Sequence, residues 1–524
     1  MIDLRRVPEL TEVAARLDAV WEAGLRATTL LRDAWSPTAG TPVYTEAGKY
    51  TTRGWTEWTQ GFQFGNALYL YEATGDTGML TYGRRATVDH MAHHLTHIGV
   101  HDHGFNNVST YGNLLRMMGE GTIPVDLWEA EFYRLALKVT GAVQAARWTP
   151  IRGGGGYVHT FNGPHSLFSD TIRSMRALAV SHQLGHVLMG EQDSRISLLE
   201  RLVDHATATA EFNVYYGRGR DGYDVRGRTV HESIFNVTNG VYRCPGTQQG
   251  YSPFTTWTRG LAWIAAGYPE QLEWIQSRPD EEFAGLEAVS RVPGGDTVSA
   301  GVAAAVASGT AARARIEAAW LRTACAVSDF YLTWTPTDGI PYWDTGAPGL
   351  EKLGGYLDRP ADPYNEHEPV DSSAAAITAQ GLLRLALYLE DHAERLAGVP
   401  LDLDGNGPRR HDVPAITERA ARYRAAGLIA AHTLFGEPYL STGADHQGIL
   451  LHSIYHQPNR WDYVAPGQKI ANGESCMWGD YHLLELAVMV KRLSEGRRPQ
   501  RFFDIPAAGA SHAPDPSGSP GARR

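Results

Sequence analysis

Three short stretches set an acid among aromatic residues: "HDHGF" at 101–105, "SLFSDTIRSM" at 166–175 and "NGESCMWGDYHLLELA" at 472–487. In the first two, Asp102 and Asp170 stand where a loop gives way to a helical segment. Cleavage of a glycosidic bond typically uses two carboxyl groups, one of them kept protonated near neutral pH by burial or by a neighbouring negative charge. Asp102 and Asp170 are the candidate pair. A fourth stretch, "QQGYSPFTTWTRGLAW", gathers Trp257, Arg259 and Trp263 around the start of a helix. Indole rings offer flat apolar faces to sugars, and a guanidinium offers a two-pronged donor to a carboxylate. Tryptophans recur beside the loop acids, at Trp55, Trp58, Trp148, Trp257, Trp263, Trp343 and Trp478. That is more than core filling calls for, and a carbohydrate cleft is expected.

Other motifs carry less. In "DHMAHHLTHIGVHDHGF", His90 and His94, and His93 and His97, stand four apart, a spacing that can hold a transition metal. The run mixes helix faces, contains no HExxH and is joined by no cysteine, so packing or surface histidines are expected and no metal. "DLDGNG" at 402–407 copies the first half of a calcium loop with Asp402, Asp404, Asn406 and Gly407, but the position for the bidentate glutamate falls on Val413. A plain turn is the reading there. "GGGG" at 153–156 lacks the Lys-Ser/Thr of a phosphate loop, and no nucleotide or other cofactor is called for.

The elements that must position these residues are helices. Helical spacing recurs at 8–34, 57–74, 77–98, 109–118, 127–146, 170–190, 194–212, 256–276, 316–333, 372–395, 414–434 and 477–494. Several, such as "SAAAITAQGLLRLALYL" and "YHLLELAVMV", are apolar around most of their circumference, which marks burial on more than one side. Alternating inner and outer helices wrapped into a toroid would bury them. The starts of the inner helices then converge at one mouth, where Asp102 and Asp170 can share a pocket. "RGGGGYVHTFNG", "SRVPGGDTVSAGVAAAVASGTAAR" and "GLEKLGGYLDRPADPYNEHEP" read as loop insertions. The organisation expected is one all-α catalytic domain over 1–505, followed by a disordered Pro/Gly/Ala/Ser tail at 506–524.

Composition bounds the partners. The 524 residues carry a formal charge of −11 and no basic patch, which argues against nucleic acid or an anionic membrane. The start has no apolar signal-peptide core, and no run approaches a membrane span. Three distant cysteines, Cys244, Cys325 and Cys476, fit reduced thiols in the cytoplasm, where the sequons at Asn107 and Asn236 are idle.

Seven stretches, in order from about residue 55 to 494, resemble glycoside hydrolase family 88, the unsaturated glucuronyl hydrolases, and their relatives in family 105. They are "WTEWTQGFQFGNALYLYEATGD", "HDHGF", "SLFSDTIRSM", "TTWTRGLAW", "DGIPYWDTGAP", "VDSSAAAITAQGLLRLA" and "ESCMWGDYHLLELA". The resemblance implies an (α/α)6 barrel, a toroid of six helical hairpins. It also implies removal of a 4,5-unsaturated uronic acid from the non-reducing end of oligosaccharides left by polysaccharide lyases, by hydration of the C4–C5 double bond. Asp170 matches the catalytic aspartate, and Asp102 the partner acid whose charge would raise its pKa. Trp58 and Trp148 match sugar-stacking aromatics, Gln249, Trp257, Arg259 and Trp263 fall on the segment for uronate binding, and His231 in "VHESIF" is a further match.

The chain departs from the family with "DTIRS" where "DTMMN" is common, so Arg173 and Ser174 are expected near the acid, where they could change the sugar accepted. An exo-glycuronidase acting on saturated uronides and a carbohydrate-binding toroid without turnover stay open as alternatives. N–H bonds and the helix dipole favour a carboxylate, so a raised pKa at Asp170 requires that it not be committed to capping its helix. Ser169 or Thr171 is the expected cap.

Overall fold

The computed structural model describes residues 1–53, 57–286, 309–404 and 407–506. Trp55, the insertion from Ser290 through residue 308, and the tail from 507 onward therefore lie outside the described residues. Twelve principal helices run through the rest in strict alternation. The outer six are α1 (Leu17–Ala34), α3 (Thr77–His90), α5 (Leu127–Ala146), α7 (Leu198–Phe212), α9 (Gly309–Trp334) and α11 (Val413–Leu434). The inner six are α2 (Gln60–Thr74), α4, α6, α8 (Thr258–Gln276), α10 (Ser372–Asp391) and α12 (Met477–Ser494). Two inner helices are composite. α4 joins His103–Asn107, a π-helical turn Val108–Gly112 and Asn113–Gly119, while α6 joins Thr171–Ser174 to Arg176–Gln183. Six outer–inner hairpins form an (α/α)6 barrel.

Burial explains which helix goes where. Gln60 through Leu70 of α2 and Ser372 through Ala386 of α10 are buried on every face, as helices walled by neighbours on all sides must be. α1 and α7 keep one polar side, consistent with a single apolar stripe turned inward. Caps fix several starts. The carboxylates of Asp76, Asp126, Asp371 and Asp412 and the hydroxyl of Ser197 accept N–H groups of the first turns of α3, α5, α10, α11 and α7, each worth about 1 kcal/mol.

Inner helices approach closely where a side chain is missing. A Cβ on Gly61 would lie 2.2 Å from the Asn106 carbonyl oxygen, and one on Gly104 2.2 Å from that of Ser174. The ring is also tied by buried ion pairs. Arg173 of α6 donates to Glu270 of α8 at 2.7 and 2.9 Å and to Glu485 of α12 at 3.0 Å, and Arg384 of α10 donates to Glu273 of α8 at 2.8 Å. Arg173 is thus a strut between inner helices. The expectation that it lies near the acid and changes the sugar accepted does not hold, because two carboxylates draw its guanidinium into the barrel wall.

Short strands decorate the loops. β1 (Pro42–Glu46) pairs antiparallel with β2 (Lys49–Thr52), β3 (Trp148–Pro150) with β4 (Gly156–Val158), and β5 (Ser166–Phe168) with β8 (Glu232–Phe235), which also pairs with β9 (Tyr242–Gly246). Two further hairpins are β6–β7 (Leu188–Met189, Arg195–Ile196) and β10–β11 (Pro400–Asp404, Gly407–Arg410). Asp402 belongs to β10 and accepts from Arg419, Arg226 and His411. Its oxygens are filled by protein donors rather than turned toward a cation.

Candidate active site

A cleft opens where α4, α6 and α8 begin, closed on one side by Tyr455, His456 and Trp461. Asp102, just before α4, and Asp170, just before α6, both line it, and they are only 5% and 8% exposed. The two helix starts are fastened together by one hydroxyl. Ser174 Oγ donates to the His101 carbonyl at 2.6 Å and accepts from Gly104 N–H at 2.9 Å, while Gln144 Nε2 donates to both that carbonyl and Ser174 Oγ. Ser174, expected near the acid as a residue that could change the sugar accepted, instead sets the spacing of the acids.

Between the carboxyls lies His101, a residue the sequence reading did not single out. Its Nε2 is 3.2 Å from Asp170 Oδ1 and 3.7 Å from Asp102 Oδ1, and its ring packs against Phe161 and Phe168, each 5.6 Å away. This third member reverses the expected electrostatics. Burial pushes Asp102 up to about 6, aided by the charge of Asp170 and only partly offset by His101. Burial also pushes Asp170 upward, but the hydrogen bond and charge of His101 outweigh it and hold that carboxyl below its ordinary value. Burial disfavours the His101 cation, yet the two carboxylates raise it on balance. The acid with the raised pKa is therefore Asp102, not Asp170. The expectation failed because it weighed carboxylate against carboxylate without the imidazole between them.

Asp170 precedes the first turn of α6 and makes no side-chain capping bond. Neither expected cap takes that place. Ser169 Oγ is buried without a partner, and Thr171 Oγ1 turns back to Asp170 Oδ1 at 3.4 Å.

The cleft wall is aromatic. Trp58, Trp257 and Trp263 line it, as the motifs suggested, joined by Phe105, Phe161, Tyr455 and Trp461. Trp58 stacks on Trp478 with centroids 4.8 Å apart, so the aromatic residue of the third acid-bearing motif stands behind the wall. Of that motif's acids, Asp480 accepts N–H groups of Ile449 and Leu450 and the Tyr50 hydroxyl, and is structural. Trp148 is not part of the lining. It sits in β3 opposite Val158, with the Arg201 guanidinium 3.8 Å from its ring.

Arg259 reaches the cleft, but its fork is filled. Nη1 donates to Asp371 at 2.9 Å and to the Ile454 carbonyl, and Nη2 donates to Gln249 Oε1 at 3.0 Å and the Tyr455 carbonyl at 2.7 Å. Trp257 and Trp478 rings lie 4.6 and 4.8 Å from the guanidinium carbon. The two-pronged contact with a ligand carboxylate read from the sequence is thus taken by protein acceptors. Gln249, with Oε1 committed to Arg259, also lines the cleft. His231 stands one layer back: Nδ1 accepts from the Gln248 and Gln249 N–H groups at 3.0 and 3.3 Å, and burial keeps the ring neutral, its pKa pushed down to about 3. It shapes the Gln248–Gln249 turn rather than lining the cleft.

Residues the sequence reading missed split in two. His101, Phe105 and Gln248 lay inside quoted motifs, beside the residues chosen. Phe161 sits in the glycine-rich insertion, and Tyr455, His456 and Trp461 come from a loop whose only signal was its aromatic content. That loop is held by Asp462, which accepts the N–H groups of Tyr455 and His456.

The histidine run packs near the same helix start. Glu57, His93 and His94 bring possible ligand atoms within 4.8 Å of one another. Asn106, whose Oδ1 accepts from Gly61 N–H, donates through Nδ2 to His94 Nδ1 at 3.2 Å. The acceptor nitrogen of the neutral His94 ring is thus occupied, and its other nitrogen carries the proton.

No protein-family model matches the chain. It is 23% identical to an unsaturated glucuronyl hydrolase of Formosa agariphila over 335 residues, 63% of this chain and 64% of that protein. It is 23% identical to the unsaturated glucuronyl hydrolase of Bacillus sp. strain GL1 over 453 residues, 85% and 89% of the two chains. Among solved structures it superposes on a UGL variant with dGlcA-Glc-Rha-Glc at a TM-score of 0.59, with 20% identity over 93% of this chain and 99% of that one. The fold is an (α/α)6 barrel shared with that solved structure. Within that class, the proteins this chain resembles are unsaturated glucuronyl hydrolases.

Proposed function

We propose that this enzyme removes a 4,5-unsaturated uronic acid from the non-reducing end of oligosaccharides made by polysaccharide lyases, by adding water across C4–C5. The observation that carries the reading is the buried His101–Asp102–Asp170 unit in an aromatic cleft. Hydration of a vinyl ether needs a proton at C4 and a water at C5, supplied by groups that exchange roles. His101 Nε2 passes a proton along its 3.2 Å hydrogen bond to Asp170, which delivers it to C4. Water bonds to C5 and gives a proton back to the Asp170 carboxylate, restoring the unit. The hemiketal formed opens to a C5 ketone and a C1 hemiacetal, which releases the remaining sugar as an alcohol. Trp58, Trp257 and Trp263 supply faces for the rings, and the Gln249 amide donates to the uronate.

One observation favours a second assignment of roles: Asp102, raised to about 6, holds its proton at higher pH than Asp170 does. Asp102 would then protonate C4 while the ionised Asp170 draws a proton from the water. Following the loss of ultraviolet absorbance of the conjugated enol-acid tests both. Asp170→Asn abolishes turnover in the first assignment, and unimpaired turnover in the folded variant would overturn the function itself. Restoration of Asp170→Asn by a small carboxylic acid such as formate, with the restored rate falling above pH 6, would favour the second.

The catalytic unit is proposed to be the whole barrel, working in the cytoplasm. The three cysteines are free, and among the described residues no helix is long and apolar enough to cross a membrane.

A further inference from the structure

Outer helix α5 breaks the rule its neighbours follow. Its outward face carries Trp128, Phe132, Leu135 and Val139 at helical spacing, and Trp128 is 88% exposed, Leu135 61% and Phe132 41%. Leu127 and Val125 at the helix start widen the stripe, at 64% and 41%. The exposed parts of these side chains amount to about 600 Å² per copy, the upper end of what a monomer leaves open.

We infer that this face is a two-fold interface between copies of this chain, with α5 packed antiparallel on its symmetry mate. Area supports a second copy, because two such faces together bring about 1,200 Å², the size a specific interface requires. Charge supports it too. Glu131 and Lys138 border the same edge of the stripe, one turn either side of Leu135. An antiparallel two-fold centred near Leu135 sets Glu131 of each copy opposite Lys138 of the other, since an isologous contact maps one edge onto itself with direction reversed. Shape agrees with that register. The stripe runs from bulky Trp128 at one end to Ala142 and Ala146 at the other, so each indole meets the partner's small residues. None of the residues that line the cleft belongs to α5, whose Gln144 only supports the His101 carbonyl and Ser174 behind it.

The test is the mass of the full chain in solution by sedimentation velocity at about 10 µM, a concentration at which a micromolar association is evident. The expected result is a dimer. Trp128→Glu and Leu135→Arg give monomers that retain the ultraviolet activity of the wild type. Glu131→Lys and Lys138→Glu each weaken the dimer at least about tenfold, and the double exchange is tighter than either. A monomeric wild type would overturn the inference. So would a dimer indifferent to Trp128→Glu and Leu135→Arg, or a double exchange weaker than both single variants.

Discussion

Asp102→Asn should stabilise the fold while disabling the enzyme. In the folded state burial raises the Asp102 carboxyl from its ordinary 3.8 to about 6. A group whose folded pKa lies above its unfolded one stabilises the fold most below the unfolded value and loses that contribution as pH rises through the folded value. At pH above both, keeping Asp102 ionised therefore costs about 3 kcal/mol. The side chain is nearly buried, so solvent screening takes little from that figure. Asparagine fills the same space without the charge, although it gives His101 one carboxylate fewer. A net gain of about 1–3 kcal/mol at pH 8 is expected, shrinking to about 0.5 kcal/mol or less at pH 4.

Urea unfolding of wild type and variant at pH 4, 6 and 8 measures this directly, alongside kcat from the ultraviolet assay. The expected pattern is a stability difference that grows with pH together with a fall in kcat of about 10²-fold or more. A variant no more stable than wild type at pH 8 would refute the electrostatic account of the unit, and so would a gain independent of pH.

His101→Gln removes from Asp170 the hydrogen bond and charge that hold it low, leaving burial to push it upward. We expect kcat to fall about 10²–10³-fold and its acid limb to move to higher pH, and an unchanged pH–rate profile would remove His101 from the unit. Trp58→Ala should raise KM about tenfold or more while Trp148→Ala changes it less than about twofold, because only the first ring lines the cleft; steady-state kinetics on an unsaturated disaccharide compares them. Arg173→Met strands Glu270 and Glu485 in the barrel wall and should cost about 3–5 kcal/mol in chemical unfolding, with KM unchanged for the fraction that stays folded. A variant of normal stability with altered substrate preference would return Arg173 to the role read from the sequence.

The barrel was legible because its signal is repetitive. Twelve segments of helical spacing, several of them apolar around most of their circumference, leave few arrangements other than nested rings, and the observed helices differ from the expected ones mainly at their ends. α4 begins at His103 rather than 109, because the π turn at Val108–Gly112 breaks the periodicity that marks a start. The site was legible in its acids and aromatics, which cluster in short motifs, and illegible in its wiring. Sequence spacing cannot tell that Ser174 fastens two helix starts, that four protein acceptors fill the Arg259 fork, or that Arg173 points along the wall, since each partner lies at least ten residues away in the chain. His101 shows the consequence most sharply. It stood beside Asp102 in a quoted motif, and its type was in plain view. What made it decisive was a 3.2 Å approach to a carboxyl on another helix, which exists only once the barrel closes. The proton inventory of this site is thus a property of the closed ring rather than of either acid-bearing motif. Perturbations that loosen the α4–α6 junction, Ser174→Ala foremost, should consequently shift the pH–rate profile without touching a titrating group.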